Sequence, residues 1–177
     1  MGSSSRVTGG RARTDSGVPL PVRLLLDLVD EAFDRKSWHG STLLGSLRGM
    51  TPSLASWRPA PRRHNVWEIV VHAAYWKYAV RRRLTRDKRG SFALRGSNWF
   101  ERPPREALDR TWVGDVRLLV DEHKSLRGAI ASISPRDLER PVGGQSVTAA
   151  HLIRGIAAHD LYHAGQIQLI KRLRSGR

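Results

Sequence analysis

Apolar positions along this chain recur at helical spacing in separate blocks. The first is marked by Leu25, Leu28, Val29 and Ala32 and begins near Pro19 or Pro21, where proline suits a first helical turn. The pattern resumes as Leu43, Leu44, Leu47 and Met50. Between them, Gly40 in the segment SWHGS either bends one helix or separates two. Prolines through TPSLASWRPAP, residues 51–61, forbid a regular helix throughout. Asn65 and Glu68 then form a cap-like pair ahead of the stripe Ile69, His72, Ala73, Trp76 and Val80. The basic run RRRLTRDKRG closes this helix, with Gly90 as its expected stop. Residues 91–110 hold no sustained period, yet Phe92, Trp99 and Phe100 need something to pack on, which predicts a lid or binding loop. A third helix carries Val116, Leu119, Val120, His123, Leu126 and Ile130 and ends around Ser134 and Pro135. A polar connection with Gly143 and Gly144 leads to the last helix, from about Thr148 to Leu173. No strand pattern or internal repeat accompanies them. The fold class expected is all-α: a four-helix bundle over residues 19–177, with a long loop between the second and third main helices. Residues 1–18, rich in Gly, Ser and Arg, are expected to form a disordered arm.

Composition narrows the function classes. At 177 residues the chain can bury one sizeable core. No apolar run is long enough to span a bilayer, and the N-terminal arm lacks the apolar segment of a signal peptide, so the cytoplasm is the expected location. The absence of cysteine excludes disulfides, thiolate ligands and a cysteine nucleophile. Lys and Arg number 31 against 16 Asp and Glu, a net charge of +15 that attracts anions without saying which. The densest cluster, Arg81, Arg82, Arg83, Arg86, Lys88 and Arg89, closes a helix, where basic residues are common in any case. No helix-turn-helix, zinc-finger or RNA-recognition signature is present, which argues against specific nucleic-acid binding.

The chemistry lies in HDLYHAGQ, residues 159–166. His159 and His163 stand one turn apart on a face otherwise formed by Leu152, Ile156, Ile167 and Ile170. Two imidazoles in an apolar stripe need polar partners, and they can share one metal ion. A third ligand must come from another helix, and His72 is the best placed. Imidazole suits Zn, Ni, Fe, Co or Cu, with zinc or nickel expected here. His123 also falls on an apolar stripe, as a candidate acid/base or a core histidine with a hydrogen-bond partner. His39, beside Trp38 and Gly40, is a candidate for the pocket mouth. Asp160 and Gln166 border the pair and are candidates to orient an imidazole through its other nitrogen. Gly165 is expected to let two helices approach closely.

The segments HAAYWKYAV at His72 and GIAAHDLYHAGQIQLIKRL at 155–173 resemble the DinB/YfiT-like superfamily. The WHG, NVWEIVVHAAYWKYAVRRRL and SNWF segments resemble an uncharacterised bacterial subgroup of it. The resemblance covers roughly residues 20–173. It implies a four-helix bundle, a metal held by His72, His159 and His163, and a homodimer acting on a small-molecule substrate. It also implies a metal-dependent enzyme, most readily a thiol-dependent S-transferase that uses a low-molecular-weight thiol. A metal-dependent hydrolase, with His123 shuttling protons, and a non-catalytic metal- or ligand-binding stress-response protein are the alternatives.

Overall fold

The computed structural model describes residues 16–90, 92–103, 109–142 and 146–176. Most of the expected arm and the Gly143–Gly144 connection lie outside the described residues. Among the described residues there are six α-helices: α1 (Leu20–Phe33), α2 (Leu43–Ser46), α3 (Pro52–Ser56), α4 (Val66–Thr85), α5 (Asp109–Ala131) and α6 (Ala149–Ser175). The 3-10 turn Pro135–Asp137 precedes α6, and no strand occurs among the described residues beyond one isolated bridge, Pro141 to Thr148. α4 packs on α5 and α6, and α1 packs on the same two helices, which closes a four-helix bundle. The short α2 lies against α6 and α1, and α3 against α4. No helix among the described residues is long and apolar enough to cross a membrane.

Local chemistry explains the boundaries. Asn65 and Glu68 complete a full capping box at the start of α4, and Thr42, Thr51 and Thr148 cap α2, α3 and α6 through their hydroxyls. The connection holding Gly40 (φ 98°) separates α1 from α2. Pro52, Pro59 and Pro61 confine α3 to five residues. α4 stops at Thr85, before Gly90: Arg86 takes the left-handed conformation at φ 62° and returns its N–H to Arg82 O.

The core divides into two apolar clusters. One gathers Phe33, Leu43, Trp67, Val70, Leu119 and Ile167; the other gathers Val22, Leu26, Val29, Leu126, Ile130 and Ile153. Burial of each large aliphatic side chain stabilises the bundle by about 1.5–3 kcal/mol. Each long helix contributes a polar residue where its side chains pass from one cluster to the other: Asp30 from α1, Lys77 from α4, His123 from α5 and Asp160 from α6. Lys77 and Asp160 form an ion pair with both side chains fully buried. Asp30 receives Arg35 at 2.8 Å, Arg127 at 2.9 Å and His123 Nε2 at 3.3 Å.

This layer corrects two expected stripes. α1 buries Val22, Leu26, Val29 and Phe33 rather than Leu25 and Leu28; Leu28 is exposed. The observed face also turns the Asp30 carboxylate toward Arg127. On α6 the buried line runs through Ile153, Ile156, Asp160, His163, Ile167 and Ile170, with Leu152 and His159 at its edge. Gly165 is exposed, and a Cβ there would meet nothing within 4 Å, so it makes no close helix approach.

Candidate metal centre

His72 leaves the middle of α4, where nearly every residue is buried, and meets His159 and His163 from α6. His159 Nε2 lies 3.1 Å from His72 Nε2 and 3.1 Å from His163 Nε2, and the three ligand atoms fall within 4.8 Å of one another. Metal–nitrogen bonds of about 2.0–2.1 Å imply nitrogen–nitrogen edges of roughly 2.8–3.4 Å between octahedral and tetrahedral angles. The two close edges fit that range.

Proton positions sharpen the fit. His72 Nδ1 stands 2.9 Å from the Asn98 carbonyl oxygen, and His163 Nδ1 stands 2.6 Å from Gln166 Oε1. Those partners only accept, so both Nδ1 atoms carry the proton and donate it. In the neutral rings both Nε2 atoms are then bare lone pairs facing His159. His159 Nε2 can donate to one of them at most. Its Nδ1 is buried with no hydrogen-bond partner among the described residues. Three mutually facing nitrogens with too few protons are a poor hydrogen-bond cluster and a good cation site.

Electrostatics hold the same state. Burial lowers the His159 pKa to about 3 and the His163 pKa to about 4, with repulsion from the neighbouring imidazoles adding to it. Burial also lowers His72, partly opposed by its bond to Asn98. All three rings are therefore neutral, as ligation requires, near neutral pH.

The loop between α4 and α5 braces the site. Asn98 adopts a left-handed backbone (φ 64°), so its carbonyl reaches His72 while its Oδ1 accepts Trp76 Nε1 at 2.9 Å. Trp99 stacks on His72 at 3.8 Å and on His64 at 3.5 Å, between two imidazoles. His64 Nδ1 in turn lies 3.0 Å from Glu68 Oε2, whose carboxylate also takes Arg58 at 2.9 Å. Burial raises the Glu68 pKa, but Arg58 and His64 outweigh it and hold the group below its usual range. Asn65 Nδ2 donates to Arg102 O at 2.7 Å, and Arg102 pairs with Asp115 at 2.9 Å, which ties the far end of the loop to α4 and α5.

Of the remaining candidates only Gln166 joins the triad. Gln166 sits beside the triad, its Oε1 on His163 and its Nε2 donating to the Tyr162 hydroxyl at 3.0 Å. Asp160 contacts no imidazole; it is taken by Lys77, and burial pushes its carboxyl above the usual range. His123 is stacked on Phe33 at 3.8 Å and faces Asp30, apart from the triad. His39 is exposed and lies 3.3 Å from Ser37 Oγ, so the structure does not bring it to the pocket. Asn98 and Lys77 are not among the sequence candidates, and Trp99 is anticipated only as an aromatic of a lid or binding loop. Only the tolerance of Asn for left-handed backbone hinted at the first. Lys77 lies off the recognised stripe and resembled any helix-surface lysine.

No curated protein and no solved structure matches the chain significantly. The family model for the DinB superfamily matches residues 36–167, which takes in all three histidines, the bracing loop and well over half of the chain. The protein belongs to the DinB superfamily.

Proposed function

We propose that this protein is a metal-dependent enzyme that joins an electrophilic small molecule to the sulfur of a low-molecular-weight thiol, with His72, His159 and His163 holding one divalent ion. The observation that carries the reading is the convergence of three Nε2 atoms, two of them bare lone pairs, beside an apolar cavity. That cavity, of about 600 Å³, is bordered by His163 and lined by Ile69, Trp99, Tyr162, Leu169, Ile170 and Leu173. Its size and wall suit a compact, largely carbon-built substrate. When bound, the ion supplies a Lewis acid that lowers the pKa of a coordinated thiol or water.

The chain's own residues orient and shelter. Asn98 and Gln166 fix two imidazole rings through Nδ1. Trp99 covers His72, and the Tyr162 hydroxyl, held by Gln166, gives the cavity a polar edge. S-transfer forms a C–S bond, breaks the bond to the leaving group, which departs with its electron pair, and releases the thiol proton to solvent. No Asp or Glu lines the cavity among the described residues. Hydrolysis calls for a base there: His123 is engaged with Asp30, and the one imidazole besides His163 that lines the cavity, His64, is stacked on Trp99 with its Nδ1 on Glu68. A thiol brings its own nucleophile, which favours transfer over hydrolysis.

The test is a conjugation assay of metal-loaded protein with an aryl halide and, separately, glutathione, bacillithiol and mycothiol analogues, read by mass spectrometry. At least one thiol is expected to give conjugate roughly tenfold or more faster than with the H159A/H163A variant, the scale of losing one catalytic contribution. Ester turnover that is equal with and without thiol would replace this reading with the hydrolase. Stoichiometric metal with no turnover of either kind would leave a binding protein.

A further inference from the structure

A second cleft, of about 580 Å³, lies between the second half of α4 and the loop residues 92–97. Arg82, Arg83, Arg89 and Arg95 line it, and no acidic residue does among the described residues. Tyr75, Trp76, Tyr78 and Phe92 contribute aromatic rings to the rest of its wall. The nearby acid, Asp87, is already engaged: its carboxylate takes Arg81 at 3.2 Å and the Thr85 hydroxyl at 2.6 Å. Arg81 also reaches Glu122, at 3.5 Å. Arg82 donates only to the Asp87 backbone oxygen, at 3.3 Å, and Arg83 lies over the Trp76 ring at 6.0 Å. None of Arg82, Arg83, Arg89 and Arg95 makes an ion pair among the described residues. By contrast, Lys171 at the end of α6 is spent on the carbonyls of Ser46 and Arg48, both at 3.0 Å.

Four guanidinium groups sharing one concave site repel each other unless an anion sits among them. Guanidinium forks match phosphate oxygens, and the half-buried faces of Tyr75 and Phe92 offer a surface for a ring. The volume falls within the range of about 300–1,000 Å³ usual for small-ligand sites. We propose that this cleft binds a small aromatic molecule carrying two phosphate groups, of the nucleoside diphosphate class. The site is built by different side chains from those of the triad and stands whether or not the triad is catalytic.

Calorimetry on the full-length H159A/H163A variant in EDTA at low salt tests this without metal bridging the ligand to the triad. ADP is expected to bind one per chain, and adenosine at least about tenfold more weakly. The further exchange R83Q/R95Q is expected to weaken ADP roughly 30-fold or more, the scale of losing two charge-assisted contacts. Phe92→Ala weakens ADP but not pyrophosphate, and R172Q/R174Q on α6 changes neither. Unfolding curves of each variant confirm that the fold persists. No ADP binding, unchanged binding in R83Q/R95Q, or an equal loss in R172Q/R174Q would overturn the site. Equal affinity for ADP and adenosine would overturn the phosphate assignment, and an oligonucleotide displacing ADP at a hundredfold lower concentration would overturn the small-ligand assignment.

Discussion

His123 and the group of His72, His159 and His163 occupy inward positions on packed helices, and burial lowers the imidazole pKa in both places. Their partners differ. His123 Nε2 faces the Asp30 carboxylate, which two arginines also hold, and its ring lies flat on Phe33. The other three rings turn their free nitrogens toward one another, with Nδ1 protons of two already committed to oxygen acceptors. The first arrangement is complete as a piece of structure. The second is a set of nitrogens that a single cation would satisfy. Burial alone does not mark a functional histidine; the identity of the atom it faces does.

The largest effects are expected in the sealed polar layer. Asp160→Asn leaves the Lys77 ammonium buried without its counter-ion and should destabilise the protein by about 3–5 kcal/mol in urea unfolding. The paired exchange Lys77→Met with Asp160→Leu should recover most of that loss, because the desolvation cost of both charges disappears together. One metal per chain should remain in the paired variant. Loss of metal there would show that the layer and the triad are a single device.

Next in size is the bracing of the triad. Gln166→Leu removes the acceptor that fixes the His163 ring and should weaken metal binding by about 10–100-fold in competitive chelator titrations. His123→Leu should leave metal affinity unchanged and cost about 1–2 kcal/mol of stability, as expected for a hydrogen bond to a charged group partly offset by apolar packing. A large loss of metal in His123→Leu would erase the distinction between the two regions.

The helical stripes and the capping pair at Asn65 made the bundle legible, since helix period and caps are local properties. The HxxxH spacing and His72 mid-stripe made the ligand set legible for the same reason. The facing of α1 and the depth of Asp160 were not legible, because both depend on charge pairs between helices, Asp30 with Arg127 and Lys77 with Asp160. Asn98 and Trp99 belong to an aperiodic loop whose contacts with His72 are made across 26 and 27 positions of chain. Residue type could place aromatics there but not say what they cover.

Close to neutrality the smallest effect is that of pH, and it grows on acidification. In the metal-free protein His159 and His163 titrate at about 3 and about 4, against 6.5 for an unperturbed imidazole. The unfolded chain therefore takes up protons first as pH falls. The stability contribution of the neutral rings is complete above about pH 6.5 and drains away on acidification toward pH 3–4. Melting temperature should decline over that window, and less steeply in the H159A/H163A variant. Metal affinity should fall less between pH 8 and about 5 than for three ordinary imidazoles, since His159 and His163 carry no proton to displace over that range. A fall as steep as theirs, already beginning near pH 6.5, would mean that the imidazoles are not held neutral.

The most direct test of the account is metal content by elemental analysis together with X-ray absorption at the metal edge, on wild type, H159A/H163A and His123→Leu. The account predicts one divalent ion per chain with imidazole scattering from three ligands in wild type and in His123→Leu, and no stoichiometric metal in the double variant. Stoichiometric metal that persists in H159A/H163A, or a wild-type protein that takes up none, would contradict it.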